Sequence, residues 1–455
     1  MTISNATTIK RQILFRLAEL FFKEKITDDI SKIPYEIAPN HQQSFRCCVH
    51  RDRIIIKYRI IAALGIIPDE EINEEIFLRD YYLQTFDRNK QTSPWIFSIK
   101  EACSGCVETK YFVTNACRGC VSRNCVRNCP KQCISIQARK AVIDQKQCLN
   151  CGKCKSVCSY NAIVYVPVPC EEACPVHAIE KNSNGKVIID FEKCVQCGNC
   201  LKECPFGSIV EKSQLMDVLH CLKQKKQMVA IVAPAIAKQF KAPLLKILGA
   251  IKKAGFTDVV EAAYGAEITA QLEAAELLGK IAKKEFLITS CCSSYYEFIK
   301  KHVPEAAAYL SSAKSPMEYT AEAVKKYYPD AVIVFISPCL AKKSEAERIK
   351  IIDYVLNFEE VEAIIKAQKT NIQDCSDYES EKFIPSKEGR NFPMIGGVSK
   401  AVEKYAKTKI ENILVEGINK KNQIQLREYA KKGCKANLIE VMACKGGCIG
   451  GCNTL

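Results

Sequence analysis

Long apolar runs are missing from this 455-residue chain. No stretch approaches the roughly eighteen consecutive apolar residues that a membrane span requires, so a membrane partner is not expected. A secretory signal is missing too. Ile9 to Phe22 is apolar, but Lys10, Arg11, Arg16 and Glu19 interrupt it and no small-residue cleavage site follows. The acidic residues soon after it argue against a transit peptide, and the stretch reads instead as an amphipathic helix with Ile9, Ile13, Leu17, Leu20 and Phe21 on one face. Histidine is scarce, at five residues, which leaves too few ligands for an array of Cys/His zinc fingers. The formal net charge of +15 has no matching stripe of basic and aromatic residues, so nucleic acid is not the expected partner. The scattered Lys and Arg suit a solvated surface that docks an acidic protein.

Cysteine is abundant, with 28 residues. Secreted disulfide scaffolds are usually short, whereas this chain is long enough for two or three domains. Repeated Cys-x-x-Cys spacing without an export signal points to metal ligation in a reducing, cytoplasmic setting. Between Cys103 and Cys204 lie 17 of the 28 cysteines, in two blocks. The first joins Cys117-x2-Cys120-x4-Cys125-x3-Cys129-Pro130 to Cys148-x2-Cys151-x2-Cys154-x3-Cys158. The second joins Cys170-x3-Cys174-Pro175 to Cys194-x2-Cys197-x2-Cys200-x3-Cys204-Pro205.

Spacing of this ferredoxin-like kind binds [4Fe–4S] clusters, and the fourth cysteine of each run ligates the neighbouring cluster. The crossing rule assigns Cys117, Cys120, Cys125 and Cys158 to one cluster and Cys148, Cys151, Cys154 and Cys129 to the next. Cys194, Cys197 and Cys200 then pair with Cys174. Cys170 and Cys204 remain, as do Cys103 and Cys106, and we expect these four to share a further cluster, giving three to four accessory clusters in all. Cys133 is left without a role. Cys47 and Cys48, being adjacent, are poor ligands for one cluster and read as ordinary thiols, and His177 reads as a surface residue.

Short apolar segments follow the cysteine runs: 133–137, 161–165, 177–180, 187–190 and 207–210 are expected as strands of small hairpins. Residues 1–95 show helical periodicity and no nameable chemistry, and Arg88 to Trp95 reads as a linker. From Leu215 the pattern alternates. Strands are expected at 228–233, 258–261, 285–289, 331–336, 412–415 and 437–441, with helices at 244–254 and 268–283. Such alternation argues an α/β domain. Three of these strands run into cysteine motifs: Thr289-Ser-Cys-Cys292, Ser337-Pro-Cys-Leu-Ala-Lys-Lys-Ser-Glu345 and Glu440-Val-Met-Ala-Cys-Lys-Gly-Gly-Cys448. Ligands beyond the carboxyl ends of strands are what open α/β sheets favour.

These three motifs resemble the signatures that hold the H-cluster of [FeFe] hydrogenases, and the whole resembles the monomeric members with an N-terminal multi-cluster module. The resemblance implies a [4Fe–4S] cubane joined through one cysteine sulfur to a di-iron centre carrying carbonyl, cyanide and a bridging aza-dithiolate. It implies Cys292, Cys339, Cys444 and Cys448 as cubane ligands, with Cys448 the bridge. It further implies Cys291 as a non-ligating proton carrier, Lys342 as a donor to a cyanide, and Glu276, Ser311, Glu273 and Cys291 as a proton relay. Glu345 would orient the second motif, while Lys343 reads as a solvated neighbour. Gly446 and Gly447 would let the backbone approach the cluster. Ser337 departs from the usual methionine before Pro-Cys, and Ser293 and Tyr295 depart from proline and tryptophan after Cys292.

The expectation is therefore an α+β multidomain protein. It has a helical region (1–95), a ferredoxin-like multi-cluster electron-transfer module (96–210) and an α/β H-cluster domain (211–455). The implied activity is reversible reduction of protons to hydrogen, with a ferredoxin or flavodoxin as electron carrier and maturation factors supplying the di-iron centre. The alternative is a non-catalytic iron–sulfur assembly factor or a hydrogen-sensing relative. Cys291 and the cysteine-rich module favour the enzyme.

Overall fold

A computed structural model of the chain describes residues 4–40, 44–68, 76–106 and 110–454. The amphipathic stretch near the start forms a helix over Asn5–Phe22, capped by the Ser4 hydroxyl accepting from the Thr7 amide. Ile13, Leu17, Leu20 and Phe21 are buried, and Ile9 packs at the edge of the same core. That core includes Val361, Ile364 and Ile365 of the helix Phe358–Ala367, so the N-terminal helix shares its hydrophobic interior with the C-terminal half. Each fully buried Ile, Leu or Phe contributes about 1.5–3 kcal/mol to this attachment. Charge adds to it: Lys10 pairs with Glu211 at 3.1 Å and Glu359 at 2.7 Å.

The segment from Arg88 to Trp95, expected as a linker, is instead anchored. Arg88 pairs with Asp217 at 2.5 Å, Gln91 Nε2 donates to the Ser213 carbonyl at 3.0 Å, and the Trp95 indole is buried with its N–H on Glu347 at 2.9 Å. Local Asn, Ser and Pro composition signals irregular backbone but not whether side chains beyond it find a groove.

The cysteine-rich segment is built from short antiparallel pairs. Ile134–Gln137 pairs with Lys140–Ile143, and Ile179–Lys181 with Val187–Ile189. The expected strand around 161–165 forms as Ile163–Val166 and finds its partner in Lys110–Val113, far earlier in the chain. Ile209–Glu211 closes the segment against Ile96–Ser98.

Beyond it the α/β alternation yields two parallel sheets. One has the order Asp258–Glu261, Met228–Val232, Val332–Ile336, Tyr354–Leu356, and the other the order Leu287–Ile288, Leu438–Met442, Asn412–Glu416. The inner strands Met228–Val232 and Leu438–Met442 are buried along their whole length, as strands covered on both faces are, whereas the edge strand Asn412–Glu416 is largely exposed. Among the described residues no helix is long and apolar enough to cross a membrane.

Candidate iron–sulfur active site

The cysteine motifs sit where strands of both sheets end. Leu287–Ile288 leads to Cys291 and Cys292, Val332–Ile336 to Cys339, and Leu438–Met442 to Cys444 and Cys448. Cys291, Cys292, Cys339 and Cys448 line one cavity together with Lys342 and Met442. Burial, and then repulsion from the neighbouring Cys339, Cys292 and Cys448 thiolates, raises the Cys444 pKa well above the ordinary thiol range. Burial, then Cys292 and Cys339, push Cys448 up to about 12. Four thiols that would repel as thiolates in a buried pocket call for cationic iron, so the donor set fits a cubane.

Lys342 faces the same pocket. Burial opposes its charge, but Glu345, 2.6 Å away, outweighs that and raises its pKa. Glu345 is buried and also accepts from the hydroxyls of Ser293 and Ser315, so it is held from three sides. Ser293 thereby acquires a contact that proline could not make. Ser337 accepts from the Cys339 amide at 3.2 Å and lines the cavity wall. Lys343, expected in solvent, is 2% exposed; its Nζ donates to the Lys212 carbonyl at 2.6 Å, with Glu211 at 3.9 Å. The helix Ala341–Ile349 is buried on both these sides, which the alternation of one turn does not reveal.

Glu276, Ser311, Glu273 and Cys291, expected as a proton relay, lie near one another. Ser311 Oγ donates to Glu276 at 2.9 Å, and the Ser312 amide donates to the same carboxylate at 3.0 Å. Glu273 is fully buried, accepts from the Ser290 amide at 3.1 Å, and has Ser311 close by. Its Oε2 has no partner of ordinary geometry among the described residues. Burial raises the Glu273 pKa to about 8. Burial and then Glu273 raise the Cys291 thiol well above its usual range.

Glu440 was quoted in its motif but given no role by sequence reasoning. It is buried, accepts from the amides of Gly396 (2.7 Å) and Ser399 (2.8 Å) at the start of the helix Gly397–Ala406, and adds negative potential at Cys291. The signal was a lone carboxylate inside the apolar strand Leu438–Met442. Gly447 has φ +89°, and a Cβ there would lie 2.3 Å from the Pro393 carbonyl. Its need is thus to pass the Pro393–Ile395 backbone. Gly446, at φ +77°, needs its left-handed conformation rather than space.

The accessory cysteines also gather as sets. Cys125 feels Cys117, Cys120 and Cys158, while Cys129, Cys148, Cys151 and Cys154 line one cavity. Cys103, Cys106, Cys170 and Cys204 line another. Cys200 feels Cys174, Cys194 and Cys197, and Cys197 in turn feels Cys339 of the pocket described above. Cys133, without a role in the sequence, lies 3.4 Å from Cys129 Sγ. Cys452, outside all of these sets, is felt by Cys339 and feels Cys197, and its Sγ would stand 2.4 Å from a Cβ at Gly198. Cys47, Cys48 and His177 are exposed.

Comparison with known proteins agrees with this chemistry. Residues 226–452 match the family described as the iron-only hydrogenase large subunit, C-terminal domain, and residues 164–215 match the LdpA Fe–S cluster-binding domain. Iron hydrogenase 1 of Clostridium pasteurianum is 28% identical over 69% of this chain and 65% of its own length. The NADP-reducing hydrogenase subunit HndD of Solidesulfovibrio fructosivorans is 26% identical over 53% of this chain and 52% of its own. The chain therefore spans less than two thirds of the length of these relatives. A solved structure of a variant of the [FeFe]-hydrogenase HydA1 from Chlamydomonas reinhardtii shows a weaker likeness, with TM-score 0.41 and 19% identity over 52% of this chain and 84% of that one. The cofactors are [4Fe–4S] clusters and an H-cluster, and residues 226–452 belong to the family of the iron-only hydrogenase large subunit, C-terminal domain.

Proposed function

We propose that the chain is a hydrogenase that reversibly reduces two protons with two electrons to hydrogen. The observation that carries this reading is the meeting of Cys291, Cys292, Cys339, Cys448 and Lys342 in one cavity, with Glu273 at its back. Cys292, Cys339, Cys444 and Cys448 would hold the cubane, with Cys448 bridging to the di-iron centre. When bound, the H-cluster supplies the redox-active iron at which protons and hydrogen interconvert. Lys342, kept charged by Glu345, would donate to a cyanide, a charge-assisted hydrogen bond strengthened by the dry pocket. Protons would pass from Glu276 through Ser311 and Glu273 to the Cys291 thiol. Glu273, with a pKa raised to about 8, can both accept and donate near neutral pH.

We assign the four accessory clusters to the four cysteine sets above. Residues 1–95, 96–210 and 211–455 are taken as helical, electron-transfer and catalytic regions. Ferredoxin or flavodoxin is the proposed electron carrier, maturation factors the source of the di-iron centre, and the cytoplasm the location that keeps the thiolates reduced. The relative named as NADP-reducing makes NADPH the competing donor to test. The decisive experiment is infrared spectroscopy of the matured protein with hydrogen evolution from reduced ferredoxin or from NADPH. Metal-bound carbonyl and cyanide bands with ferredoxin-driven evolution are expected. Full accessory iron without those bands would mark a non-catalytic relative.

A further inference from the structure

The helical N-terminal segment carries no motif, yet it brings two guanidinium groups against the Cys103, Cys106, Cys170 and Cys204 set. Arg59, on the helix Val49–Ala63, is 9% exposed and donates from Nη2 to the carbonyls of Phe206 (3.1 Å) and Gly207 (3.0 Å). Arg46, just before that helix, donates to the same Phe206 carbonyl at 3.0 Å and lies 5.9 Å from its ring. Phe206 follows Cys204-Pro205 and lines the cavity that holds the four thiols. Gly207 permits the approach: it has φ +55°, and a Cβ there would stand 2.4 Å from Arg59 Nη2. Cys204 is within electrostatic reach of both arginines.

Two like charges side by side in a partly dry place need an anion. Among the described residues both guanidiniums bond to carbonyls rather than carboxylates, and Arg59 Nε has no hydrogen-bond partner. Asp52, whose charge both feel, accepts from the Ser44 hydroxyl (2.6 Å) and the Phe45 amide (2.9 Å) through Oδ2 and gives the two guanidiniums a shared, partial counter-charge. Burial and then repulsion from Arg46 push Arg59 down to about 10, as befits a cation short of a counter-ion. The same cysteine set draws two more cations. Lys186 Nζ donates to the Cys103 carbonyl at 2.5 Å, and Lys181 Nζ to the Cys106 carbonyl. Lys181 also has Glu171 at 3.6 Å, and a [4Fe–4S] cluster on four thiolates would supply the further anion that this cationic surround favours.

We propose that Arg46 and Arg59 are positioning residues for electron transfer, supplying counter-charge to the cluster held by Cys103, Cys106, Cys170 and Cys204 and raising its potential. One-electron reduction adds negative charge to the cluster, so nearby cations stabilise the reduced form more than the oxidised one. The helical segment thereby sets where an electron pauses before it reaches the H-cluster. The inference rests on the four-cluster reading above.

The test is a redox titration, followed by electron paramagnetic resonance, of the full chain loaded with iron and sulfide. Cys204→Ser identifies this cluster's signal by its loss or alteration. In Arg46→Gln and Arg59→Gln that signal's midpoint should fall, and in the double variant its reduced fraction at fixed potential should drop about tenfold, or about 59 mV for one electron. The other midpoints should hold, and Arg59→Lys, which keeps the charge, should stay nearer the wild type than Arg59→Gln. Should the buried Arg59 variants fail to load, Arg46→Gln, at a half-buried position, carries the measurement alone. Full iron content with an unmoved midpoint overturns the proposal, as does an equal shift of every cluster. Iron sufficient for only three accessory clusters in the wild type would instead defeat the four-cluster reading, and the proposal with it.

Discussion

Cys291 and Cys292 are neighbours in sequence with unequal surroundings. Cys292 accepts from the Ala443 amide at 3.5 Å on the third motif, whereas Cys291 faces Glu273 and Glu440. Cys291→Ser should keep the carbonyl and cyanide bands and lower hydrogen turnover by about 10²-fold or more, because a hydroxyl is a far weaker acid than a thiol. Cys292→Ser should damage the cluster itself, measured as lost iron. Wild-type turnover in Cys291→Ser with intact bands would assign proton transfer to another route. Glu273 makes a separate prediction. Its folded pKa of about 8 exceeds the ordinary carboxyl value, so its neutral form is the one that folding favours. Its contribution to stability is present at low pH and is lost as pH rises from the ordinary carboxyl range through about 8. Infrared difference spectra should show a protonated carboxylic acid that fades through about pH 8 and is missing in Glu273→Gln. A band that vanishes near pH 4 would return Glu273 to an ordinary solvated carboxylate.

The helix Ala263–Ala282 carries both relay carboxylates, and its placement depends on Gly265. A Cβ there would lie 2.2 Å from the Pro316 carbonyl and 2.8 Å from the Thr320 amide of the facing helix Pro316–Tyr327. Because backbone cannot swing aside as a side chain can, Gly265→Ala should cost about 1–3 kcal/mol and displace Glu273. The expected result is a lower melting temperature together with reduced hydrogen turnover at full iron content; an unchanged melting temperature would show that the helices can separate freely. At this scale most elements were legible from sequence: the strand Asp258–Glu261 and the start of the helix at Leu244 fall where periodicity places them. The relay helix begins five residues earlier than read, at Ala263, because an Ala/Gly-rich first turn shows no apolar period even though Gly265 and Ala266 are buried.

Across the whole molecule, Cys197 feels Cys339 and Cys200 feels Cys170 of the next set, so two of the four cysteine sets form a line toward the Cys339 pocket. If all four sets are filled, iron and sulfide should load five cubanes before di-iron insertion, and Cys106→Ser should lower the iron content. A total of four cubanes, unchanged by Cys106→Ser, would remove the Cys103, Cys106, Cys170 and Cys204 site. The formal net charge of +15 predicts faster association with acidic electron carriers at low salt. A rate of reduction by ferredoxin that does not change with ionic strength would rule out electrostatic steering.

The sequence by itself determined where the cysteine runs lie and which strands present the three C-terminal motifs, because cysteine spacing and hydrophobic period are local quantities. Tertiary structure alone decided that the α/β alternation splits into two parallel sheets, that Lys343 is buried while Cys47 and Cys48 are exposed, and that Trp95 anchors what reads as a linker. It alone placed Arg46 and Arg59 over Phe206, about 160 and 147 residues away in the chain. Burial and long-range charge depend on what packs from elsewhere in the chain, and no window of sequence contains that neighbour.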